Sequence, residues 1–184
     1  MIQNIIDTER AYFAGLFDGE GSVGIKKTKC NNYIGYSLRV LIGITYKPVL
    51  LKMQKFFGGN LYITHMEVLK NSTHSKKLKN YTNANPDKWK QMYMYDLSSE
   101  RALYFLKIIE PFCNEKKQQV SLGIRYEQGK RHDYIRSKRE TERSEFFYQE
   151  LKKLKKEQPT ENEIEDKNDF VDQQQDLFSF VEEI

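Results

Sequence analysis

Apolar and polar residues alternate along two neighbouring stretches near the start of the chain, which indicates a pair of β-strands. The first stretch covers residues 22–29, with Val23 and Ile25 on one face and small or basic residues on the other. The second covers residues 36–45, and its apolar face consists of Leu38, Val40, Ile42 and Ile44. One face of this strand pair is therefore expected to be buried, and the other to be exposed.

Helical patterns flank the strand pair on both sides. Residues 8–18 form the first predicted helix, with Asp7 as its N-cap residue. Residues 47–59 form the second, since Pro48 suits a first turn and a glycine pair suits a helix end. The strand pair is thus expected to lie between two helices along the chain.

The second half of the chain repeats the pattern of a strand pair followed by a helix. Residues 60–70 and 88–98 are the predicted strands, and Ser99 is the predicted N-cap of a helix over residues 100–109. Two further helices follow, over residues 114–128 and 144–156. The element order is αββαββα with extra C-terminal helices, which is typical of an α+β domain with an antiparallel sheet.

The charge of the chain is unevenly distributed, although the formal net charge is only +4. Residues 157–184 carry −9, so the preceding residues carry +13. A basic body of this kind favours a polyanionic partner such as nucleic acid, with solubility alone as the alternative. We expect one domain over residues 1–157 and an acidic, flexible tail over residues 158–184, which competes with the polyanion for the basic surface.

Several classes of protein do not fit the sequence. No apolar run reaches the roughly 18 residues of a membrane span, and the first residues resemble neither a secretion signal nor a transit peptide. Cys30 and Cys113 are too far apart to suggest a disulfide framework or a zinc site. We therefore expect no membrane partner and a reducing, intracellular environment. The abundance of Lys, Asn, Ile and Tyr would suit an organellar, bacterial or phage genome.

The segment RAYFAGLFDGEGS, residues 10–22, contains glycines where a helix is otherwise predicted. Ala11, Gly15 and Gly19 recur every four residues, so they line one helix face and allow a second backbone to approach closely. The alternative is a helix that merely contains a glycine and ends in a glycine cap. Glu20 follows the last turn, where the helix dipole disfavours an anion, so a cation is expected nearby.

Residues 13–21 of this segment, FAGLFDGEG, resemble the signature of the LAGLIDADG homing endonuclease family. One copy of the signature is present, so the resemblance implies a homodimer in which the two signature helices pack together. It places Ala11, Gly15 and Asp18 at the dimer interface, with Asp18 also arranging local hydrogen bonds. It further implies that the Glu20 carboxylate and the Gly19 carbonyl bind Mg²⁺, for which other divalent ions can substitute.

The activity implied by the resemblance is metal-dependent hydrolysis by an intron-encoded enzyme, which makes a staggered double-strand break in a long, pseudo-palindromic DNA target. The alternative is a cleavage-deficient relative that acts as an intron maturase or a DNA-binding protein. The stretch EPFCNEKKQQVSLGI resembles the family segment with a catalytic lysine, here Lys116, and a nearby polar contact, here Gln119. Tyr46 occupies a catalytic position that is often glutamine in the family, and Lys47 substitutes for a basic residue that Leu50 cannot supply.

The resemblance also implies that the exposed face of the antiparallel sheet lies in the major groove of DNA. On the predicted strands this face carries basic and hydroxyl-bearing side chains, which suit contacts with bases and phosphates. The candidate DNA-binding residues on the strands are Lys26, Thr28, Ser37, Arg39, Tyr62 and Thr64, and Lys47 and Gln119 are further DNA-binding candidates outside the strands.

Overall fold

The computed structural model of the protein describes residues 5–30, 33–64, 90–130 and 138–156. The chain divides into two compact units, Met1–Lys152 and Lys153–Ile184, and the architecture below is that of the first unit. The predicted tail over residues 158–184 lies outside the described residues, so the predicted domain boundary stays a prediction. None of the described helices is long and apolar enough to cross a membrane.

The described elements follow the predicted αββαββα order. Helix α1 (Asp7–Glu20) leads directly into strand β1 (Gly21–Cys30), which is followed by β2 (Tyr33–Ile44). The second series consists of α2 (Lys47–Phe57), β3 (Asn60–Ile63), β4 (Tyr93–Ser98) and α3 (Ser99–Ile109). After α3 come a 3₁₀ turn (Glu110–Phe112), α4 (Lys117–Gln128) and α5 (Lys138–Leu154). The predicted α+β fold with extra C-terminal helices is confirmed.

The four strands form one antiparallel sheet in the order β1-β2-β4-β3. Val23 pairs with Val40 and Ile25 with Leu38, and all four side chains are buried, so the predicted apolar face is the core face. The helices contribute the following residues to the same core: Phe13 and Phe17 of α1, Leu50 and Met53 of α2, Phe105 and Leu106 of α3, Val120 and Ile124 of α4. These helix residues all pack against the core face of the sheet, and none of them packs against the opposite face.

Both predicted N-caps are wrong. Asp7 is the first residue of α1, and its carboxylate accepts a hydrogen bond from Arg10 (3.2 Å) rather than capping a backbone N–H. The N-cap residue of α3 is Ser98, which makes no side-chain cap bond. Ser99 instead lies inside the helix with a φ of +49°, because β4 turns into α3 without a connecting residue. Sharp turns of this kind place a non-glycine residue in the left-handed region at a cost in backbone energy.

The two C-terminal helices also begin at residues other than those predicted. Helix α4 begins at Lys117 rather than at residue 114, because the backbone just before it is bonded to the Asp18 side chain. Helix α5 begins at Lys138, six residues before the predicted start. The patterns of apolar residues do not reveal this charged first turn.

Arg143 explains why the charged segment is helical. Its guanidinium donates to the Glu140 carboxylate one turn earlier (3.2 Å) and to the carbonyl oxygens of Arg125 (3.2 Å) and Tyr126 (2.8 Å) near the end of α4. It also lies over the ring of Phe147, 4.8 Å from the centroid. A cation at the C-terminal end of a helix is favourable, so Arg143 joins α5 to α4.

Glu145 joins α5 to the far end of the first strand pair. Its carboxylate accepts hydrogen bonds from the Lys27 ammonium (2.7 Å), from the Tyr36 hydroxyl and from the Gln149 amide (2.7 Å). The bonds from Lys27 and Tyr36 lower the pKa of Glu145 from its ordinary value of 4.5 to about 2. The charged carboxylate is therefore the form that stabilises this contact.

The depressed pKa of Glu145 predicts a pH-dependent contribution to stability. The contribution is complete above pH 4.5 and is lost as the pH falls from there through the folded-state pKa of about 2. Since the side chain is about one-third exposed, we expect Glu145→Gln to lower the free energy of unfolding by no more than about 1 kcal/mol at pH 6. Urea unfolding at pH 3 to 6 tests this. Glu142→Gln, on the same helix, is the control, and a loss that does not shrink towards pH 3 contradicts the assignment.

Candidate active site

The corner between α1 and β1 is shaped by Gly21. A Cβ atom at this position would lie 2.2 Å from Cδ2 and 2.6 Å from the carbonyl oxygen of Phe17, so the backbone packs directly on that residue. Only glycine allows the chain to pass from helix to strand so close to the buried ring. The last two residues of the helix, Gly19 and Glu20, are consequently exposed at the corner.

Asp18 organises the loop that precedes α4. Its two carboxylate oxygens accept hydrogen bonds from the backbone N–H groups of Asn114 (2.8 Å) and Lys116 (3.1 Å). This is the local structural role that the sequence predicts for Asp18, and it brings residues almost 100 positions apart into contact. A position at the dimer interface stays a prediction for the same residue.

Lys116 reaches from this loop back to the end of α1. Its ammonium donates to the carbonyl oxygen of Phe17 (3.2 Å) and to that of Asp18. These carbonyls belong to the negative end of the helix dipole, where a cation is favourable. The predicted catalytic lysine is therefore held one residue away from the Gly19–Glu20 pair.

Cys113, in the same loop, is not a nucleophile at ordinary pH. Burial raises the pKa of its thiol to about 12, and the nearby Asp18 carboxylate adds to this effect. The neutral thiol therefore serves as a small apolar residue of the core.

Replacement of Asp18 by alanine tests the structural role. Two backbone N–H groups would lose a charged acceptor, so we expect the free energy of unfolding to fall by about 3 kcal/mol. Asp7→Ala is the matched control, because its only described ion pair is with Arg10 and its side chain is 79% exposed. Urea unfolding curves of the two variants decide the question, and equal stabilities would contradict the proposed role.

The residues at the corner fit a hard divalent cation. The Glu20 carboxylate is exposed, and it makes no hydrogen bond or ion pair with the described residues. Neighbouring backbone carbonyls at the end of α1 supply oxygen ligands of the kind that Mg²⁺ prefers. The described residues contain no group of three or more His, Cys, Asp or Glu side chains that could hold a metal ion. A single chain therefore provides a partial site, which waters and phosphate oxygens would have to complete.

Tyr46, Lys47 and Gln119 lie on elements that begin near this corner. Gly21 pairs with Ile42, so the last residues of β2 run beside the end of α1, and Tyr46 follows them at the N-cap of α2. The Tyr46 side chain is 67% exposed. The Lys47 ammonium lies 5.5 Å from the ring centroid of Tyr93. Gln119 is half-buried in the first turn of α4. Their catalytic and DNA-binding roles stay predictions.

The polar sheet face brings most of the predicted DNA-binding residues together. Lys26 pairs with Ser37, while Arg39 lies opposite Gly24 and Tyr62 opposite Met94, which places all four candidates on the face opposite the core. Lys26 and Thr28 are exposed on β1. The Thr64 hydroxyl, in contrast, is buried and has no hydrogen-bond partner among the described residues, so Thr64 is the weakest of the six candidates.

Asp96 is a residue of this face that sequence analysis missed. It lies on β4 and binds the guanidinium of Arg39 through two hydrogen bonds. The alternation of Tyr95 and Leu97 with Asp96 and Ser98 is the signal that could have placed Asp96 on the polar face.

The outer face of α1 is open. Phe13, Ala14 and Phe17 are buried on the inner face, whereas Ala11 and Gly15 are exposed. A Cβ atom built at Gly15 would meet no atom of the described chain within 4 Å. The same holds for Gly19. The fold of one chain therefore gives no reason for glycine at these two positions, unlike at Gly21.

A family model described as LAGLIDADG endonuclease matches residues 13–110. Among solved structures, the chain is similar to homing endonuclease I-CvuI in complex with the I-CreI target, with a TM-score of 0.59 and 12% identity over 84% of this chain and 85% of that one. The DNA in that structure is uncleaved in the presence of Mg, and a second I-CvuI structure holds its own target in the presence of Ca.

Two further similar structures have the same fold. The archaeal intron-encoded homing endonuclease I-Vdi141I, complexed with DNA, has a TM-score of 0.56 and 15% identity over 80% of this chain and 84% of that one. The homing endonuclease I-TnaI has a TM-score of 0.51 and 15% identity over 82% of this chain and 96% of that one. No curated protein sequence matches the chain.

Proposed function

Because the chain belongs to the LAGLIDADG endonuclease family, we propose that it makes a staggered double-strand break in a long, pseudo-palindromic DNA site. The observation that carries the proposal is the corner between α1 and β1. There the exposed Glu20 is the last residue of α1, and the Lys116 ammonium binds a backbone carbonyl in the same final turn. A carboxylate and an ammonium near the end of the same helix are the kinds of group that metal-dependent phosphodiester hydrolysis uses.

Mg²⁺ is the proposed cofactor, with Glu20 and the Gly19 carbonyl as its protein ligands. The ion would supply charge stabilisation at the scissile phosphate and a more acidic bound water. The donor set supports this choice, since Mg²⁺ is commonly held by one or two carboxylates together with phosphates and water. The chain itself contributes the fixed geometry, because Gly21 locks the corner against Phe17.

Lys116 is proposed to stabilise the negative charge that develops on the phosphate during cleavage. Its ammonium is already fixed by the carbonyls of Phe17 and Asp18, so little reorganisation is needed at the moment of reaction. The exposed hydroxyl of Tyr46 is proposed to orient a water molecule at the same corner. Lys47 and Gln119 are proposed to contact the DNA backbone beside it.

The proposed functional unit is a homodimer. Two cuts require two acidic corners, and the described part of one chain offers one. The open face around Ala11 and Gly15 would allow two copies of α1 to pack closely about a two-fold axis. Such packing would also offset the lower helix propensity of Gly15, which destabilises the helix by about 1 kcal/mol relative to alanine.

Removal of the metal tests the proposed reaction. The full-length protein is used to select duplexes from a randomised pool in EDTA, and the selected duplexes are then incubated with the protein in Mg²⁺ or in EDTA. We expect double-strand cleavage with single-stranded overhangs in Mg²⁺ and intact duplex in EDTA. Selection without cleavage in any divalent ion would favour a DNA-binding relative, and tight binding of an intron RNA instead of duplex would favour a maturase.

A further inference from the structure

The polar face of the sheet carries a carboxylate where a DNA-binding surface would ordinarily avoid one. Asp96 is the acidic side chain of this face among the described strand residues. An unpaired carboxylate there would repel phosphate groups and lower the affinity for DNA. Its presence therefore calls for a function that outweighs this repulsion.

Arg39 holds the carboxylate in one orientation. Its Nε–H donates to Oδ1 of Asp96 (2.8 Å), and an Nη2–H donates to Oδ2 (2.5 Å). The two hydrogen bonds join two nitrogens to two oxygens, so the pair is bidentate. The pair connects β2 to β4, since Arg39 lies opposite Ser98 and Asp96 lies opposite Leu41.

The bidentate pair leaves the other edge of the guanidinium unused. Arginine has five N–H groups. Asp96 accepts hydrogen bonds from Nε–H and from one N–H of Nη2. The second N–H of Nη2 and both N–H groups of Nη1 remain. This second edge also presents two parallel donors. Two parallel donors match O6 and N7 of guanine in the major groove, and no other base offers two acceptors there.

The neighbours of Arg39 leave space for a base. Gly24 lies directly opposite on β1 and has no side chain, while the small Ser98 lies opposite on β4. The Arg39 side chain is 30% exposed, compared with 15% for Asp96. The carboxylate is thus mostly covered, and the guanidinium is the part of the pair that meets an incoming ligand.

We propose, on the premise of the proposed DNA-cleaving function, that Arg39 and Asp96 act as one base-reading unit that selects guanine at one position of each half-site. Arg39 makes the contact, and Asp96 is a positioning residue that fixes the guanidinium. The ion pair has little net charge, so its effect on affinity for unrelated sequences is small. Lys26, which is exposed on the same face, has the free charge suited to a phosphate contact instead.

The experiment is selection of duplexes from a pool randomised over the whole target, in EDTA and at two salt concentrations. Wild-type protein, Asp96→Asn and Arg39→Lys are compared, with Lys26→Ala as the contrasting variant. We expect wild type to prefer guanine at one position of each half-site and both pair variants to reduce that preference about ten-fold. Asp96→Asn should also bind unselected duplex more tightly, with a salt dependence steeper by about one phosphate contact. Lys26→Ala should weaken binding to all sequences alike.

Three results would overturn the proposal. An unchanged guanine preference in Asp96→Asn would show that the carboxylate does not position Arg39. An unchanged preference in Arg39→Lys would show that the forked guanidinium is not the reader, and this variant decides the matter if Asp96→Asn does not fold by circular dichroism. If the wild-type protein binds no duplex, both the proposed function and this inference fail. If the wild-type protein binds duplex but the pair variants keep its guanine preference, only this inference fails and the proposed function stands.

Discussion

Replacing Glu20 by glutamine should lower the rate of DNA cleavage by about 1,000-fold without weakening the binding of target duplex. Glutamine has the shape of glutamate but lacks the charge that attracts a divalent cation. The side chain is exposed and makes no hydrogen bond or ion pair with the described residues, so the fold does not depend on it. The loss of one negative charge near the phosphates can only favour binding.

The measurement is single-turnover cleavage of a selected duplex in Mg²⁺, together with a binding titration in EDTA. Glu100→Gln is the matched control, because Glu100 is also an exposed glutamate near a helix end, and its cleavage rate should equal that of wild type. A Glu20→Gln protein that cuts at the normal rate would show that Glu20 is not the metal-binding carboxylate. Equal losses of binding and cleavage would indicate damage to the fold or to the interface.

Replacing Gly15 by leucine should make one chain more stable while it weakens the dimer by at least about 30-fold. A Cβ atom at this position meets no atom of the described residues within 4 Å, and the exchange of glycine for leucine in a helix gains up to about 1 kcal/mol. In the proposed dimer the same side chain would be inserted twice between closely packed helices. Overpacking of this kind costs about 1–3 kcal/mol for each insertion, and 1.4 kcal/mol is a ten-fold change in affinity.

Gly15→Leu is thus expected to raise the stability of one chain and to lower the affinity of the dimer. Sedimentation equilibrium gives the dimer affinity, and urea unfolding at low protein concentration gives the stability of the chain. Glu142→Leu adds the same side chain to an exposed site of α5 and should leave the dimer intact. A dimer of normal affinity in Gly15→Leu would place the interface elsewhere, and a destabilised monomer would mean that Gly15 is needed by the fold itself.

Local patterns predicted a large part of this structure correctly. The alternation around Val23 and Leu38 identified the buried face of the sheet, and the same alternation placed Lys26 and Arg39 on the polar face. The order of helices and strands followed from short-range periodicity as well. Helix ends were less well predicted, as Asp7 and Ser99 show, because capping depends on the direction in which the chain enters the helix.

The composition of the candidate site depended on contacts between distant parts of the chain. The sequence marks Lys116 as one of several surface lysines, and the ammonium reaches α1 only because Asp18 binds the loop before α4. The pair of Arg39 and Asp96 requires β4 to lie beside β2, although α2 and β3 separate them along the chain. Glu145 meets Lys27 across 118 residues in the same way.

The sequence by itself determined which residues alternate, which helix faces are apolar and which small residues form a column on α1. These properties arise between near neighbours, whose spacing is fixed by the repeat of a helix or a strand. Only the tertiary structure decided that Gly21 is required by its own chain whereas Gly15 is not, and that Asp96 holds the guanidinium of Arg39. Such outcomes depend on which elements pack together, and packing is settled by the whole core at once rather than by any local repeat.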